Sequence, residues 1–155
     1  MEIPFISLIF QGIPEMIAFS ILILTINNDL KEWKKGIVMG IFLAFTMYFI
    51  RKLPLSFGIH TLTFASLTVI IFKIVFDYNV LTLIKSILLG VILLLIGEAL
   101  SFTFLIKVLG YNMSEIVDNN FLWVASGWPQ IFLLLFVSYL FYLRNTKKKV
   151  NHNVK

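Results

Sequence analysis

The sequence contains no cysteine in 155 residues, and only 14% of its residues are charged. A chain without cysteine forms no disulfide, and it offers neither a thiol nucleophile nor thiolate ligands for a metal or cluster. The HExxH, G-x-S-x-G and phosphate-loop signatures are missing as well. Carboxylates and histidines are present, but none stand at the i, i+4 spacing that places two metal ligands on one helix face. We therefore expect a non-enzymatic chain with no cofactor and no metal.

Apolar residues dominate the composition: 59% of the chain is hydrophobic and 16 residues are phenylalanine. Crossing a hydrocarbon core about 30 Å thick takes roughly 20 helical residues at about 1.5 Å each. The stretches that meet this requirement are residues 3–26, 36–53, 55–76, 83–106 and 121–143. The sequence thus predicts an all-α, multi-pass protein of the cell membrane. Its five transmembrane helices would form one domain over residues 1–143, followed by a basic cytoplasmic tail over residues 144–155.

The distribution of basic residues predicts the orientation. The first segment, "MEIPFISLIF", has no basic stretch and carries Glu2, so we expect the first helix to be retained and not cleaved as a signal peptide. Cytoplasmic connections carry the excess of Lys and Arg. With the N-terminus outside, ten of the 13 Lys and Arg residues fall on the inner side, and only Arg51, Lys52 and Lys107 fall outside. We therefore expect an N-out/C-in arrangement.

Each predicted span carries one polar or ionisable residue at a similar depth. At about 1.5 Å per residue, all five lie roughly 17 to 24 Å from the inner boundary. They form a predicted polar layer in the outer half of the bundle: Glu15, Arg51, His60, Glu98 and Gln130. Ionisable groups at membrane depth face the bundle interior and mark functional sites by default, so we take these residues as candidates for a ligand or coupling site.

The residues of this layer suggest particular partners. A guanidinium can form bidentate hydrogen bonds with a carboxylate, so Arg51 is expected to pair with Glu98 or Glu15. His60 would report protonation of the site, because imidazole titrates nearest neutral pH. Structural alternatives remain for most members: Arg51 snorkels to the headgroups, His60 donates to a backbone carbonyl, Glu15 caps a kinked helix, and Gln130 makes a packing hydrogen bond.

Two segments of the first and last spans repeat one pattern. "QGIPEMIAFSILIL", residues 11–24, and "SGWPQIFLLLFVSYL", residues 126–140, both place a Gly two residues before a Pro, followed by Glu or Gln and an apolar run. Proline in a membrane helix frees a carbonyl, and glycine allows another backbone to approach. We expect helix kinks at Gly12, Pro14, Gly127 and Pro129. Two coincidental kinks, without any internal duplication, are the alternative.

Four stretches carry a family resemblance: "EWKKGIVMG", "RKLPLSFGIHT", "GEALSF" and "SGWPQIFLLL". The chain resembles five-helix membrane modules of Firmicute-type bacteria. Such modules precede the kinase core in sensor histidine kinases of the Spo0B-domain and quorum-sensing accessory-regulator type, and they also occur alone. By this resemblance the signature positions are Arg51, Pro54, Phe57, Gly58, His60, Thr61 and Glu98. The chain stops at Lys155 without a dimerisation helix, phosphoacceptor histidine or ATP-binding lobe, so the resemblance implies the sensing or coupling half alone.

The sequence therefore favours a non-enzymatic membrane sensor or regulatory module that responds to an extracytoplasmic signal. Its expected ligand is an apolar peptide or a small molecule, and its expected partners are the lipid bilayer and either a membrane kinase or a second copy. A short basic tail on a membrane protein does not indicate nucleic-acid binding. The alternative is a small transporter or transporter subunit, because broken helices with polar groups at the membrane midplane are typical of transporters.

Overall fold

The computed structural model describes residues 5–52 and 57–153, and this part of the chain contains helices and no strand. In chain order the helices are α1 (Phe5–Ile26), α2 (Leu30–Lys52), α3 (Phe57–Phe76), α4 (Val80–Lys107), α5 (Met113–Asp118) and α6 (Asn120–Asn153). The first is interrupted by a π-helical segment, Leu8–Gly12, and the second begins with a 3-10 turn, Leu30–Glu32.

Within the described residues, five helices are long and apolar enough to cross a membrane. They are α1 to α4 and α6, which confirms the predicted all-α class and the five predicted spans. The predicted turn at Pro54, like the expected span residues 3, 4, 53, 55 and 56, lies outside the described residues. Helix α6 runs on through Asn153, so the basic segment after residue 143 continues the last membrane helix as far as that residue. Its residues 144–153 include neither proline nor glycine, the two residues that disfavour a helix most.

Helix α1 lies at the centre of the bundle and packs against α2, α4 and α6. It runs parallel to α6, since two contacts follow the same order along both helices, Gln130 with Glu15 and then Asn145 with Thr25. In the second contact, near the end of α1, the side-chain amide of Asn145 donates a hydrogen bond of 2.8 Å to the carbonyl of Thr25. We call the end of the bundle that holds these residues and the α1–α2 connection the Lys31 end. The opposite end, which holds the beginnings of α1 and α6, is the Arg51 end. Because the number of spans is odd, the start of α1 and the end of α6 lie at opposite ends of the bundle.

Glycines set the spacing between the membrane helices. A Cβ atom added to Gly40 of α2 would lie 2.5 Å from the Cα atom of Ile17 in α1. One added to Gly90 of α4 would lie 2.5 Å from the ring of Phe19, also in α1. Small residues at helix interfaces let the backbones approach closely. The resulting van der Waals packing stabilises helix association in lipid, where the hydrophobic effect does not drive it. This close packing buries the apolar side chains of α1 completely: 0% exposure is found for Phe19, Leu22, Ile23 and Leu24.

Three connections turn through residues in the left-handed region. Asn28, Asp77 and Gly110, with φ of 61°, 52° and 75°, follow the ends of α1, α3 and α4. Gly and Asn adopt this conformation at helix C-termini with the least strain. The longest connection folds into the short helix α5, and the backbone N–H of Asn112 donates to the Glu115 carboxylate at 2.8 Å. Asn112 is therefore the N-cap of this helix, and Glu115 completes a capping box.

Candidate functional site

Two buried polar residues meet where α1 packs on α6. The amide of Gln130 donates a hydrogen bond of 2.8 Å to the Glu15 carboxylate. These residues are 6% and 8% exposed, so neither is solvated by bulk water. Gly97 of α4 makes room for them, since a Cβ atom there would lie 2.5 Å from the Cβ atom of Gln130. The structure thus brings together two residues of the predicted polar layer that are 115 positions apart in the chain.

The contact falls within the two repeated sequence motifs. Glu15 and Gln130 occupy the same position of their motifs, after Pro14 and Pro129. One turn earlier the side chain of Gln11 packs directly against Gly127 of the other motif. The reverse contact, from α6 onto Gly12, is not made, because an added Cβ atom there would meet only Leu8 and Ser7 of α1. The two motifs therefore contact each other, and Glu15 and Gln130 are the equivalent positions that meet directly.

The backbone differs between the two motifs. In α1 the π segment precedes Pro14, and the backbone N–H of Ile13 donates to the carbonyl of Leu8, five residues earlier. Such π segments are frequent at functional sites, because the extra residue in the turn redirects side chains. In α6 the helix continues through Pro129. The change from π-helix to α-helix in α1 occurs between Gly12 and Ile13. The predicted kinks at the two motifs stay predictions.

A cavity opens beside Glu15 between α1, α2 and α6, and we call it the Arg51 cavity. Its volume is about 50 Å³. A single water needs about 10–15 Å³ on this scale, so the cavity has room for a few waters or one small solute. Side chains of all three helices line it: Ser7, Leu8, Gln11, Gly12, Glu15, Met16, Ala44, Met47, Tyr48, Arg51 and Trp123.

Arg51 reaches the cavity without forming the expected ion pair. Within the described residues neither Glu15 nor Glu98 lies within 4.0 Å of its guanidinium. The neighbouring cation, Lys52, does not line the cavity, and its Nζ atom lies 4.4 Å from the centre of the ring of Tyr48, which does. One unpaired guanidinium and one amide-bonded carboxyl thus share a small cavity.

Glu98 departs from the predicted layer, because its side chain is exposed and does not face the bundle interior. Gly97 takes the position that faces α6, and one residue further along a helix turns about 100° away from that face. Glu98 lies on the same helix as the exposed residues Lys85 and Lys107, which are separated by about 33 Å of helix, close to the thickness of a hydrocarbon core. It stands about 13 Å from the second of them, at a depth where lipid chains would surround an uncovered carboxyl.

His60 is half-buried near the Arg51 end of α3. Its Nδ1 atom is buried and has no hydrogen-bond partner within the described residues. It does not line the Arg51 cavity. The structure therefore gathers Glu15, Gln130 and Arg51 at one place and leaves His60 and Glu98 outside it.

Sequence reasoning named only Gly12, Glu15 and Arg51 among the lining residues of this cavity, and the polar or aromatic residues that it missed include Gln11, Tyr48 and Trp123. Gln11 could have been identified from the sequence, because it lies four residues before Glu15 and residues at this spacing share a helix face. Its Oε1 atom is buried and has no hydrogen-bond partner among the residues that the structure describes. The two aromatic residues carried no such signal, since Tyr and Trp near a span end are ordinary membrane-interface residues.

The chemistry available here is that of ion and hydrogen-bond recognition. Across residues 5–52 and 57–153, no three His, Cys, Asp or Glu side chains come close enough to hold a metal ion. The cavity offers a carboxyl, a guanidinium, an amide and a phenol, which together can bind a small polar solute.

The sequence was compared with protein-family models and with curated proteins, and the fold with solved structures; none of the three comparisons gave a match. The fold and site define a five-span helical membrane protein with a polar cavity near one end. The family resemblance of the sequence stays a prediction.

Proposed function

We propose that this chain is a non-enzymatic membrane sensor or regulatory module whose signal is received in the Arg51 cavity. The observation that carries the proposal is the burial of Glu15, hydrogen-bonded to Gln130, in a cavity that it shares with Arg51. Polar and ionisable groups at membrane depth are costly, and they are retained where they bind or transmit something. The N-out/C-in orientation predicted by the basic residues would open this cavity toward the cell exterior.

The size and charge of the cavity favour a small polar ligand over an apolar peptide. About 50 Å³ holds only a few water-sized groups, which is the size of a small solute and not of a peptide. A small zwitterion complements the site, because its ammonium group matches the Glu15 carboxyl and its carboxylate matches the Arg51 guanidinium. A carboxylate on a guanidinium gives the strongest hydrogen bonds that neutral-pH side chains offer.

Ligand binding would be transmitted along α6, which joins the cavity to the Lys31 end. Trp123 lines the cavity, Gln130 bonds to α1, and Asn145 bonds to α1 again at the other end of the membrane. A shift of α6 against α1 at the cavity therefore moves the basic segment that follows residue 143. The exposed Glu98 supports a partner on the outside of α4, a membrane kinase or a second copy, because a carboxyl at that depth is stabilised when another helix covers it.

Thermal unfolding of the full chain in lipid nanodiscs tests the ligand site, with glycine, acetate and ammonium as separate probes at equal ionic strength. Glycine should raise the unfolding temperature more than either single ion, since a ligand stabilises the state it binds. Arg51→Gln and Glu15→Gln should each abolish the glycine shift. Lys107→Gln, which removes an exposed cation outside the cavity, is the matched control and should keep it. Equal shifts in all four proteins would contradict the proposal.

Transport is the second candidate, and the π segment beside Pro14 is the feature that favours it, because interrupted helices form substrate sites in transporters. Against it, α1 is sealed beyond Glu15 by side chains that are 0% exposed, among them Phe19 and Leu22. Uptake of labelled glycine into proteoliposomes separates the two functions. Binding with no uptake supports the sensor, whereas uptake lost in Glu15→Gln supports the transporter.

A further inference from the structure

A second and larger cavity lies at the Lys31 end, between the α1–α2 connection and α6. We call it the Lys31 pocket. Its volume is about 360 Å³, roughly seven times that of the Arg51 cavity on the same scale. Polar side chains with hydrogen-bond donors make up most of the lining: Thr25, Asn28, Leu30, Lys31, Tyr142, Asn145 and Thr146. The function proposed above uses none of these side chains for ligand binding.

Some of the donors in the pocket are already engaged, and others face it without a partner. The hydroxyls of Thr25 and Thr146 donate to backbone carbonyls at 2.7 Å and 2.9 Å. The amide of Asn145 donates to the Thr25 carbonyl. Among the described residues, the Lys31 ammonium and the Tyr142 hydroxyl have no such partner. An acceptor bound in the pocket would meet a cation and a phenol that are ready to donate.

The charges around the pocket favour an anion. Three carboxylates of the described residues stand at this end of the bundle, and none of them lines the pocket. Two are held in ion pairs, and the third, Asp29, keeps its negative charge because its partner is a neutral hydroxyl. Glu32 pairs with Lys35 at 2.9 Å, Asp77 pairs with Lys73 at 2.7 Å, and Asp29 accepts a hydrogen bond of 2.8 Å from Tyr78.

One cation, Lys31, lines the pocket, and it forms no ion pair within the described part of the chain. Arg144 and Lys147 are exposed on α6 at the same end of the bundle, but on a different face of the helix from the lining residues Tyr142 and Asn145. No carboxylate lines the pocket itself. Its lining therefore carries one uncompensated positive charge.

The position of the pocket fits the boundary between hydrocarbon and headgroups. Apolar sequence in α6 ends at Leu143, and Arg144 begins the basic segment. Trp33, 48% exposed, follows the α1–α2 connection, and Trp is typical of the membrane interface. Below the pocket the surfaces of α2 and α6 present exposed apolar side chains, including Val38 and Tyr139. A molecule with an anionic head and acyl chains could occupy both regions at once.

From these observations we infer that the Lys31 pocket binds the phosphate-containing headgroup of an anionic phospholipid. Lys31 contacts the phosphodiester and Tyr142 donates a second hydrogen bond, while Arg144 and Lys147 add positive charge to the same end of the bundle without lining the pocket. The bound lipid would connect the α1–α2 connection to α6. This inference does not depend on the function proposed for the Arg51 cavity.

Thermal unfolding of the full chain in detergent tests the inference, with added phosphatidylglycerol or phosphatidylcholine of the same acyl chains. Phosphatidylglycerol should raise the unfolding temperature, and phosphatidylcholine should not. Lys31→Gln should weaken the apparent affinity for phosphatidylglycerol about tenfold, the effect of losing one charge-assisted hydrogen bond. Lys34→Gln is the matched control. It removes the same charge from the same segment, but Lys34 lies over the Trp33 ring and does not line the pocket.

Several outcomes would overturn the inference. Equal stabilisation by the two lipids would show that the pocket does not select an anion. Equal losses in Lys31→Gln and Lys34→Gln would show diffuse surface charge and no defined site. Inorganic phosphate or glycerol phosphate acting as well as the lipid would assign the pocket to a soluble phosphate. If Lys31→Gln fails to fold, Tyr142→Phe takes its place and should weaken lipid binding without changing the net charge.

Discussion

At the scale of single residues, the contact between Glu15 and Gln130 decides how the site is held together. A buried polar group without a partner costs more free energy than its hydrogen bond contributes when made. The Gln130 amide supplies one partner for the Glu15 carboxylate at 2.8 Å. The free energy of unfolding should therefore depend on which of the two residues is replaced, and on whether both are replaced together.

Replacing Gln130→Leu should lower the free energy of unfolding by about 1–3 kcal/mol, because it leaves the Glu15 carboxyl buried without this partner. The measurement is SDS-induced unfolding of the full chain in mixed micelles. Glu15→Gln, which keeps an oxygen to accept the amide hydrogen bond, is the control and should cost less. The double variant Glu15→Leu with Gln130→Leu should recover much of the loss. Additive losses in the double variant would refute the coupling.

A second residue-scale prediction concerns Tyr78, whose hydroxyl donates to the Asp29 carboxylate and joins two connections at the Lys31 end. Tyr78→Phe should cost about 1 kcal/mol of stability. Tyr139→Phe, at a position 56% exposed, is the control and should cost nothing measurable.

The same contact gives a pH dependence. Burial, helped by the bond to Asp29, raises the pKa of Tyr78 in the folded chain above its usual value of about 10. Because the folded-state pKa is the higher one, the stabilisation is complete below about pH 10 and is lost as the pH rises further. The stability difference between wild type and Tyr78→Phe should therefore shrink above that pH. A difference that stays constant from pH 8 to pH 11 would contradict this assignment.

At the scale of helices, close approach at glycine holds the bundle together. In Gly40→Ala the new methyl would meet the backbone of Ile17 at 2.5 Å and 2.7 Å, so α1 and α2 must separate. Such overpacking costs about 1–3 kcal/mol, which exceeds the gain of up to about 1 kcal/mol from replacing glycine inside a helix.

Gly12→Ala is the matched control for that helix substitution. Its added methyl would meet nothing closer than 3.4 Å, so this variant should be neutral or slightly more stable than wild type. Unfolding in mixed micelles measures both variants. Equal stabilities would show that the helices are not held at the distance that the structure gives.

The helices themselves were the easiest feature to predict from the sequence. Five apolar stretches of sufficient length leave few alternatives, because every backbone polar group in lipid must be bonded within its own helix. Helix ends were predicted less well: α4 extends from Val80 to Lys107, three residues earlier and one residue later than its predicted span. The π segment in α1 could not be predicted from any sequence feature other than the nearby Pro14, since such segments depend on the packing around them.

Depth along a helix could be predicted, but direction around it could not. Counting residues placed Glu15, Gln130 and Glu98 at similar depths, and the first two do meet. Glu98 points outward because its neighbour Gly97 occupies the contact with α6. The sequence around Glu98 is apolar on every side, so no amphipathic pattern indicated which face would be buried.

At the scale of the whole molecule, the bundle has a different site at each end. The Arg51 end holds a small cavity with one carboxyl and one guanidinium, and the Lys31 end holds a larger pocket whose lining includes one cation, Lys31. Helix α6 lines both and bonds to α1 near each. A signal received at one end can therefore be transmitted to the other by one helix, with no further domain between them.

Single-cysteine labelling measures the central claim, that the Arg51 cavity is wet and faces the cell exterior, because the chain has no cysteine of its own to react. Met47 lines the cavity, whereas Met39 of the same helix is only 8% exposed and packs in the core. A small, charged, membrane-impermeant methanethiosulfonate reagent would be added outside intact cells. We expect the reagent to modify Met47→Cys and to leave Met39→Cys unmodified. Protection of both cysteines, or modification of Met47→Cys only from the cytoplasmic side, would contradict the claim.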